Sequence, residues 1–207
     1  MKSYYLISAG ILVLSMLPFF ISYEKRKMSP REITLIATFS ALAVVSRAAF
    51  YLIPQVKPIA AVVIVAAVCL GAERGVFIGA FSAFVSNFLF GQGYWTPFQM
   101  AALGAVGLAA GLIFSKSKLK TNRFALSLAG FLLVSVIYGL IVDLSTVFAA
   151  LGNNITFEGV ISIYAAGVPF NMIFGLTTAV FLFVFGEVFI RKTERVITKY
   201  GIKKRPV

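Results

Sequence analysis

The side chains in this sequence that could do chemistry stand out because their neighbours are inert: Arg47, Asn87, Gln92, Tyr94, Trp95, Gln99, Asp143 and Asn171. They are amides, aromatics, one guanidinium and one carboxylate. That set suits reversible capture of a polar ligand by hydrogen bonds and stacking. It does not suit bond cleavage. The chain has no histidine, which removes the commonest metal ligand and general base. Its single cysteine, Cys69, lies in an apolar run and offers neither a disulfide framework nor a metal-ligand set. Apart from Asp143, the acids fall at or near the ends of apolar segments, so no nucleophile or acid–base pair is assembled. The chain reads as a binding protein rather than an enzyme, with no cofactor.

Much of this chemistry sits in one stretch, "NFLFGQGYWTPFQM", from Asn87 to Met100. Gly91 and Gly93 permit a tight, left-handed backbone beside a ligand. Pro97 suits the first position of the next helix, where no N–H donor is needed. Tyr94 and Trp95 suit either an interfacial belt or a stacking wall. Gln92 and Gln99 add uncharged donors and acceptors.

The elements that must position these residues are membrane spans. Of 207 residues 60% are hydrophobic, and mean hydropathy is +0.95, well beyond a soluble domain. A bilayer core takes about 20 apolar residues per helix. Apolar stretches run over 4–22, 32–53, 58–72, 75–91, 97–115, 124–149 and 163–190. The expected fold is all-α: a six-helix bundle over 31–190, an extra N-terminal transmembrane helix over 1–23, and a basic tail over 191–207. "GAERG" (71–75) predicts a tight turn, and Pro169 is expected to kink or start the last helix. Residues 1–22 read as a retained helix rather than a signal peptide, because "LPFFISYEKRK" has no small-residue cleavage site.

Net charge is +12, and its distribution separates membrane topology from nucleic-acid binding. The cations lie between apolar segments rather than along a soluble stripe. If the loop after residue 22 is cytoplasmic, 16 of the 19 lysines and arginines fall inside; Lys2 and Lys57 lie outside and Arg47 within a span. The positive-inside rule then puts the N-terminus outside, the C-terminus in the cytoplasm and "GQGYWT" on the outer face of the cell membrane.

At about 1.5 Å per helical residue, Arg47, Asn87, Gln99, Asp143 and Asn171 come from different spans to the same outward half. Such residues are costly in lipid and tend to face a cavity or a partner. Separate helix–helix hydrogen bonds, with Arg47 and Asp143 as an ion pair, would also satisfy them. Their shared depth beneath the glycine–aromatic loop favours a ligand pocket. Small residues form a second pattern. Ala37, Ala41 and Ala48 share one face of their helix, and Gly75–Gly79 and Gly107–Gly111 repeat the four-residue spacing that allows close helix approach. The alanine stripe lies low on its helix, where another subunit could reach it.

The run "RAAFYLIPQVKPIAAVVIVAAVCLGAERGVFIGAFSAFVSNFLFGQGYWTPFQM", followed by "GLAAGL", resembles the substrate-binding S components of energy-coupling factor (ECF) transporters over about residues 31–190. The resemblance implies capture of a vitamin or related micronutrient from outside. It also implies partnership with a transmembrane coupling subunit and two cytoplasmic ATPases, and toppling in the membrane to release substrate. The absence of GxxxxGK[ST] agrees with ATPases on other chains. An AxxxA motif on the first helix of that fold packs on the coupling subunit, a role that passes to Ala37 and Ala41. "GYWTPFQ" is most similar to the cobalamin-type members, which makes a corrinoid the expected ligand; an amide-rich aromatic site also suits a flavin or a deazapurine. The alternative is a small proton- or ion-coupled carrier with Arg47 and Asp143 as its relay. Such carriers usually contain internal repeats, and none is evident here.

Overall fold

The computed structural model describes Gly10 and residues 29–152 and 154–200. The expected extra helix and the end of the basic tail lie outside the described residues, Gly10 apart. Among those residues every regular element is helical: α1 Pro30–Ala49, α2 Ile59–Leu70, α3 Ala72–Phe90, α4 Thr96–Phe114, α5 Arg123–Leu151 and α6 Phe157–Lys199. Each of the six expected spans of the bundle is matched by a helix. By length and composition α1, α4, α5 and α6 are able to cross a membrane.

Local chemistry sets the boundaries. Ser29 caps α1 in a reciprocal box: its hydroxyl accepts from the Glu32 amide at 3.3 Å, and the Glu32 carboxylate accepts from the Ser29 amide at 3.4 Å. Pro30 follows, where its missing N–H costs nothing. Asn122 caps α5 through two backbone amides, and Thr156 caps α6. Gly71, at φ 99°, turns the chain between α2 and α3 in a single residue, as "GAERG" predicts.

Two boundaries differ from the reading above. The sixth helix starts at Phe157, not 163, and continues to Lys199. Pro169 is interior to it and neither starts nor ends it. The second helix has only 12 residues, about 18 Å of rise, and is too short to cross alone. It is an inner strut instead. Every residue of α2 is buried except Val62, which is partly covered, and the other five helices pack around it.

Close approach of α3 and α4 depends on their glycines. A Cβ on Gly75 would sit 2.8 Å from the Gly107 carbonyl oxygen, and one on Gly107 would strike the Gly75 carbonyl. Gly111 meets Ala72 in the same way. The paired GxxxG spacings are therefore the contact itself. Both long helices contain one π-helical turn, Leu133–Tyr138 in α5 and Leu182–Gly186 in α6. Such turns re-aim the residues beside them.

At the end of the bundle bearing the Gly71 turn, Glu32 pairs with Arg74, Lys120 with Glu194, and Glu187 with both Arg123 and Arg191. The more exposed of these, such as Arg123–Glu187 and Arg191–Glu187, contribute about 0–1 kcal/mol each, and Glu32–Arg74 is largely covered.

Candidate functional site

At the opposite end, bearing loops 50–58 and 91–95, the C-termini of α1 and α3 meet the N-termini of α2 and α4. Arg47, in the last turn of α1, donates to the Ser86 hydroxyl at 2.5 Å and to the Asn87 side-chain oxygen at 2.8 Å. Its guanidinium also lies 4.3 Å from the centre of the Phe90 ring, within cation–π range. Asn87 is fully buried. Its amide nitrogen donates to the Thr96 hydroxyl at 3.0 Å and to the Gln99 side-chain oxygen at 2.9 Å. Thr96 in turn donates to Gln92 at 3.0 Å, and Gln92 donates to the Phe84 carbonyl at 3.0 Å. One connected network thus ties α1, α3, the glycine–tryptophan loop and α4 together.

The left-handed backbone expected of the loop's glycines is found at Gly91 and not at Gly93. Gly91 has φ 95°, a left-handed conformation. Gly93 has no positive φ; a Cβ there would fall 2.6 Å from the Trp95 indole ring, so its role is to let that ring lie on the backbone. Pro97 sits in the first turn of α4, one residue after the expected first position, which Thr96 takes.

Next to the network is a cleft of about 630 Å³. Arg47, Asn87 and Gln99 bring polar groups to its lining; Tyr51, Phe90, Trp95, Tyr138 and Phe174 supply aromatic rings. Tyr138 and Phe174 meet edge to face, with centroids 4.8 Å apart. Lys57 and Gln55 line the cleft from loop 50–58, with Gln55 at φ 57°. The Lys57 ammonium donates to the carbonyls of Phe50, Tyr51 and Ile53, at 2.5, 3.0 and 3.0 Å. These are carbonyls at and just beyond the end of α1, which no helical amide reaches. Burial first, and Arg47 second, hold its pKa below the usual lysine value. Among the described residues neither Arg47 nor Lys57 forms an ion pair with a carboxylate.

The candidate residues therefore divide. Arg47, Asn87, Gln99 and Trp95 line the cleft. Gln92 stands behind it as a brace. Tyr94 is 42% exposed and packs edge to face on Trp95, with centroids 4.9 Å apart, on the rim. Asp143 and Asn171 do not line it. They bond to each other at 2.7 Å between α5 and α6, where Gly167 makes room for the carboxylate and Gly139 for the amide. They fasten two helices. The Arg47–Asp143 ion pair considered above is absent, and with it the simplest relay for an ion-coupled carrier.

Sequence reasoning missed Ser86, Phe90, Lys57, Tyr138 and Phe174. Lys57 carried a signal, as the one loop cation on the wrong side of the charge pattern. The aromatics carried none, since an aromatic within a span is most simply packing.

A family model described as ECF-type riboflavin transporter, S component, matches residues 27–190. Comparison with curated proteins and with solved structures returns no match. The family description names riboflavin and lends nothing to the corrinoid expectation. The match covers the first five helices of the bundle and α6 as far as residue 190, and it stops short of the apolar stretch before residue 23. This chain belongs to the family of ECF-type riboflavin transporter S components, as a multi-pass membrane protein that is the substrate-binding subunit of an ECF importer.

Proposed function

We propose that the cleft between α1, α3 and α4 binds riboflavin or a close flavin relative, taken from the outer face of the membrane. The observation that carries this reading is the make-up of its lining: a few hydrogen-bonding groups, Arg47, Asn87 and Gln99, set among five aromatic rings. An isoalloxazine needs both kinds of partner, with a carbonyl–imide edge at one end and a dimethylbenzene at the other. Arg47, Asn87 and Gln99 are suited to the polar edge, while Trp95, Tyr138 and Phe174 are suited to the ring faces. The family description supports the same ligand class. A volume of about 630 Å³ falls in the usual range for drug-sized ligands, about 300–1,000 Å³. A corrinoid is several times larger than such a molecule and fits poorly.

Delivery in this reading requires a membrane coupling subunit and two ATPases. Ala37 and Ala41 are exposed on α1, which supports their role as the docking face. The charge pattern supports an outside N-terminus and a cytoplasmic C-terminus.

The purified chain should quench the fluorescence of added riboflavin and bind it with one-to-one stoichiometry by calorimetry. In cells, riboflavin uptake should need the co-expressed coupling subunit and ATPases and survive collapse of the proton gradient. Saturable binding of a corrinoid with no binding of riboflavin would overturn the ligand; uptake without the ATPases would overturn the mechanism.

A further inference from the structure

Beyond Gly186 the last stretch of α6, Glu187–Lys199, sorts its side chains by chemistry around the helix axis. Ile190 and Ile197 are buried and join the apolar core that contains α2. Arg191, Lys192, Arg195 and Lys199 are exposed. On a wheel of about 100° per residue, these cations fill an arc of roughly 100° almost opposite the two isoleucines. Glu187 and Glu194 lie beside the core instead and are already engaged, Glu187 with Arg123 and Arg191, Glu194 with Lys120. Among the described residues Lys192, Arg195 and Lys199 form no ion pair with a carboxylate. The helix thus turns its acids towards the bundle and its cations away from it. We propose that this cationic face of α6 binds the headgroups of anionic phospholipids in the surrounding bilayer.

Two observations favour lipid over a soluble partner. The first is continuity. Val180, Val184 and Val188 are about half exposed, and the open surface of a membrane-spanning helix meets acyl chains. Val188 falls within the cationic arc, one turn before Lys192. The cations therefore extend the surface that the valines open to lipid tails, at the height where headgroups follow. The second is mixed chemistry. Phe189 and Val196 are exposed next to the cations, and Tyr200 is exposed just after them. Apolar side chains and unpaired cations at one height are satisfied together at the boundary between acyl chains and headgroups. Lysine and arginine suit that boundary, because their stems cover apolar surface while their charged ends reach phosphate.

Clusters of lysine and arginine beside the end of a membrane helix attract acidic lipids. The positive-inside bias accounts for cations at this end of the bundle. It does not require that they share one outward face while the acids turn inward. The flavin cleft lies at the opposite end, so the two sites are separable.

The test uses the full chain in phosphatidylcholine nanodiscs doped with either phosphatidylglycerol or phosphatidylcholine carrying the same photoreactive group near its headgroup. Crosslinked peptides are read by mass spectrometry. Phosphatidylglycerol should label segment 188–200 roughly fivefold or more above phosphatidylcholine. The preference should collapse in about 1 M salt, where the Debye length is about 3 Å. It should also vanish in Lys192→Gln/Arg195→Gln/Lys199→Gln, whose folding is checked by its melting midpoint in detergent, and persist in the charge-keeping Lys192→Arg/Lys199→Arg. Equal labelling by the two lipids, or a preference that survives the triple exchange, would overturn the proposal. So would competition by free glycerol phosphate, the mark of a soluble-anion site. Loss of the coupling subunit or ATPases from the triple variant, with its lipid preference intact, would mark a protein-docking face and overturn it too.

Discussion

Asn87 shows what a single side chain does in this site. It accepts from Arg47 and donates to Thr96 and Gln99, so its removal leaves several buried groups without partners. A buried group left unsatisfied costs about 1–3 kcal/mol, or roughly 5- to 150-fold in an equilibrium constant. Asn87→Ala should therefore weaken flavin binding by at least about tenfold, as read by fluorescence titration. Asp143→Asn is the contrasting case. Its partner Asn171 is reached outside the cleft, so the variant should bind flavin within about twofold of the parent while its thermal stability shifts. Equal loss of binding in both variants would show that the division of the polar residues is wrong. These two residues also mark how far the sequence could be read. A polar side chain in an apolar run announces itself, and depth follows from counting residues. Direction around the helix axis does not. Asp143 and Asn171 share the depth of Arg47 but face each other, and only packing reveals that.

Among the elements, the α3–α4 pair makes the strictest demand. Gly75 and Gly107 leave no room for a Cβ between two backbones, and overpacking of this kind costs about 1–3 kcal/mol. Gly107→Val should lower the melting midpoint in detergent by several degrees. It should also weaken flavin binding, because α3 carries Asn87 and α4 carries Gln99. Unchanged stability and affinity would mean that the two helices can separate without penalty. This contact was legible from spacing alone. The aromatic wall was not. Tyr138 ends a π-helical turn of α5, and α-helical spacing of 100° per residue misplaces whatever follows such an inserted residue. The last helix also extends beyond the apolar stretch 163–190 at both ends, and Pro169, expected to kink or start it, lies in its interior, since a helix packed on its neighbours can run through a proline.

At the scale of the molecule, the cleft and the alanine stripe occupy separate surfaces of the same α1 helix. Arg47 reaches the cleft from its last turn, while Ala37 and Ala41 lie exposed near its middle. Ala37→Trp and Ala41→Trp should therefore leave flavin affinity within about twofold and abolish co-purification with the coupling subunit. Loss of flavin binding in these variants, or assembly that survives them, would contradict separate duties. The six-helix architecture was visible in the pattern of apolar runs, and the charge asymmetry supplied an expected orientation. Neither pattern could indicate that α2 would be an inner strut, since a short apolar run reads the same whether it meets lipid or protein.

That strut has a consequence for how the protein experiences its surroundings. The five helices around α2 must adjust their tilt when the bilayer thickens or thins. A helix covered everywhere but at Val62 has little boundary with lipid tails to match. Ile59, at its first residue, forms part of the cleft, so one wall of the binding chamber is anchored to the part of the molecule least coupled to acyl-chain length. Flavin affinity in nanodiscs should stay level from short-chain to long-chain phospholipids, even as melting temperature drifts with mismatch.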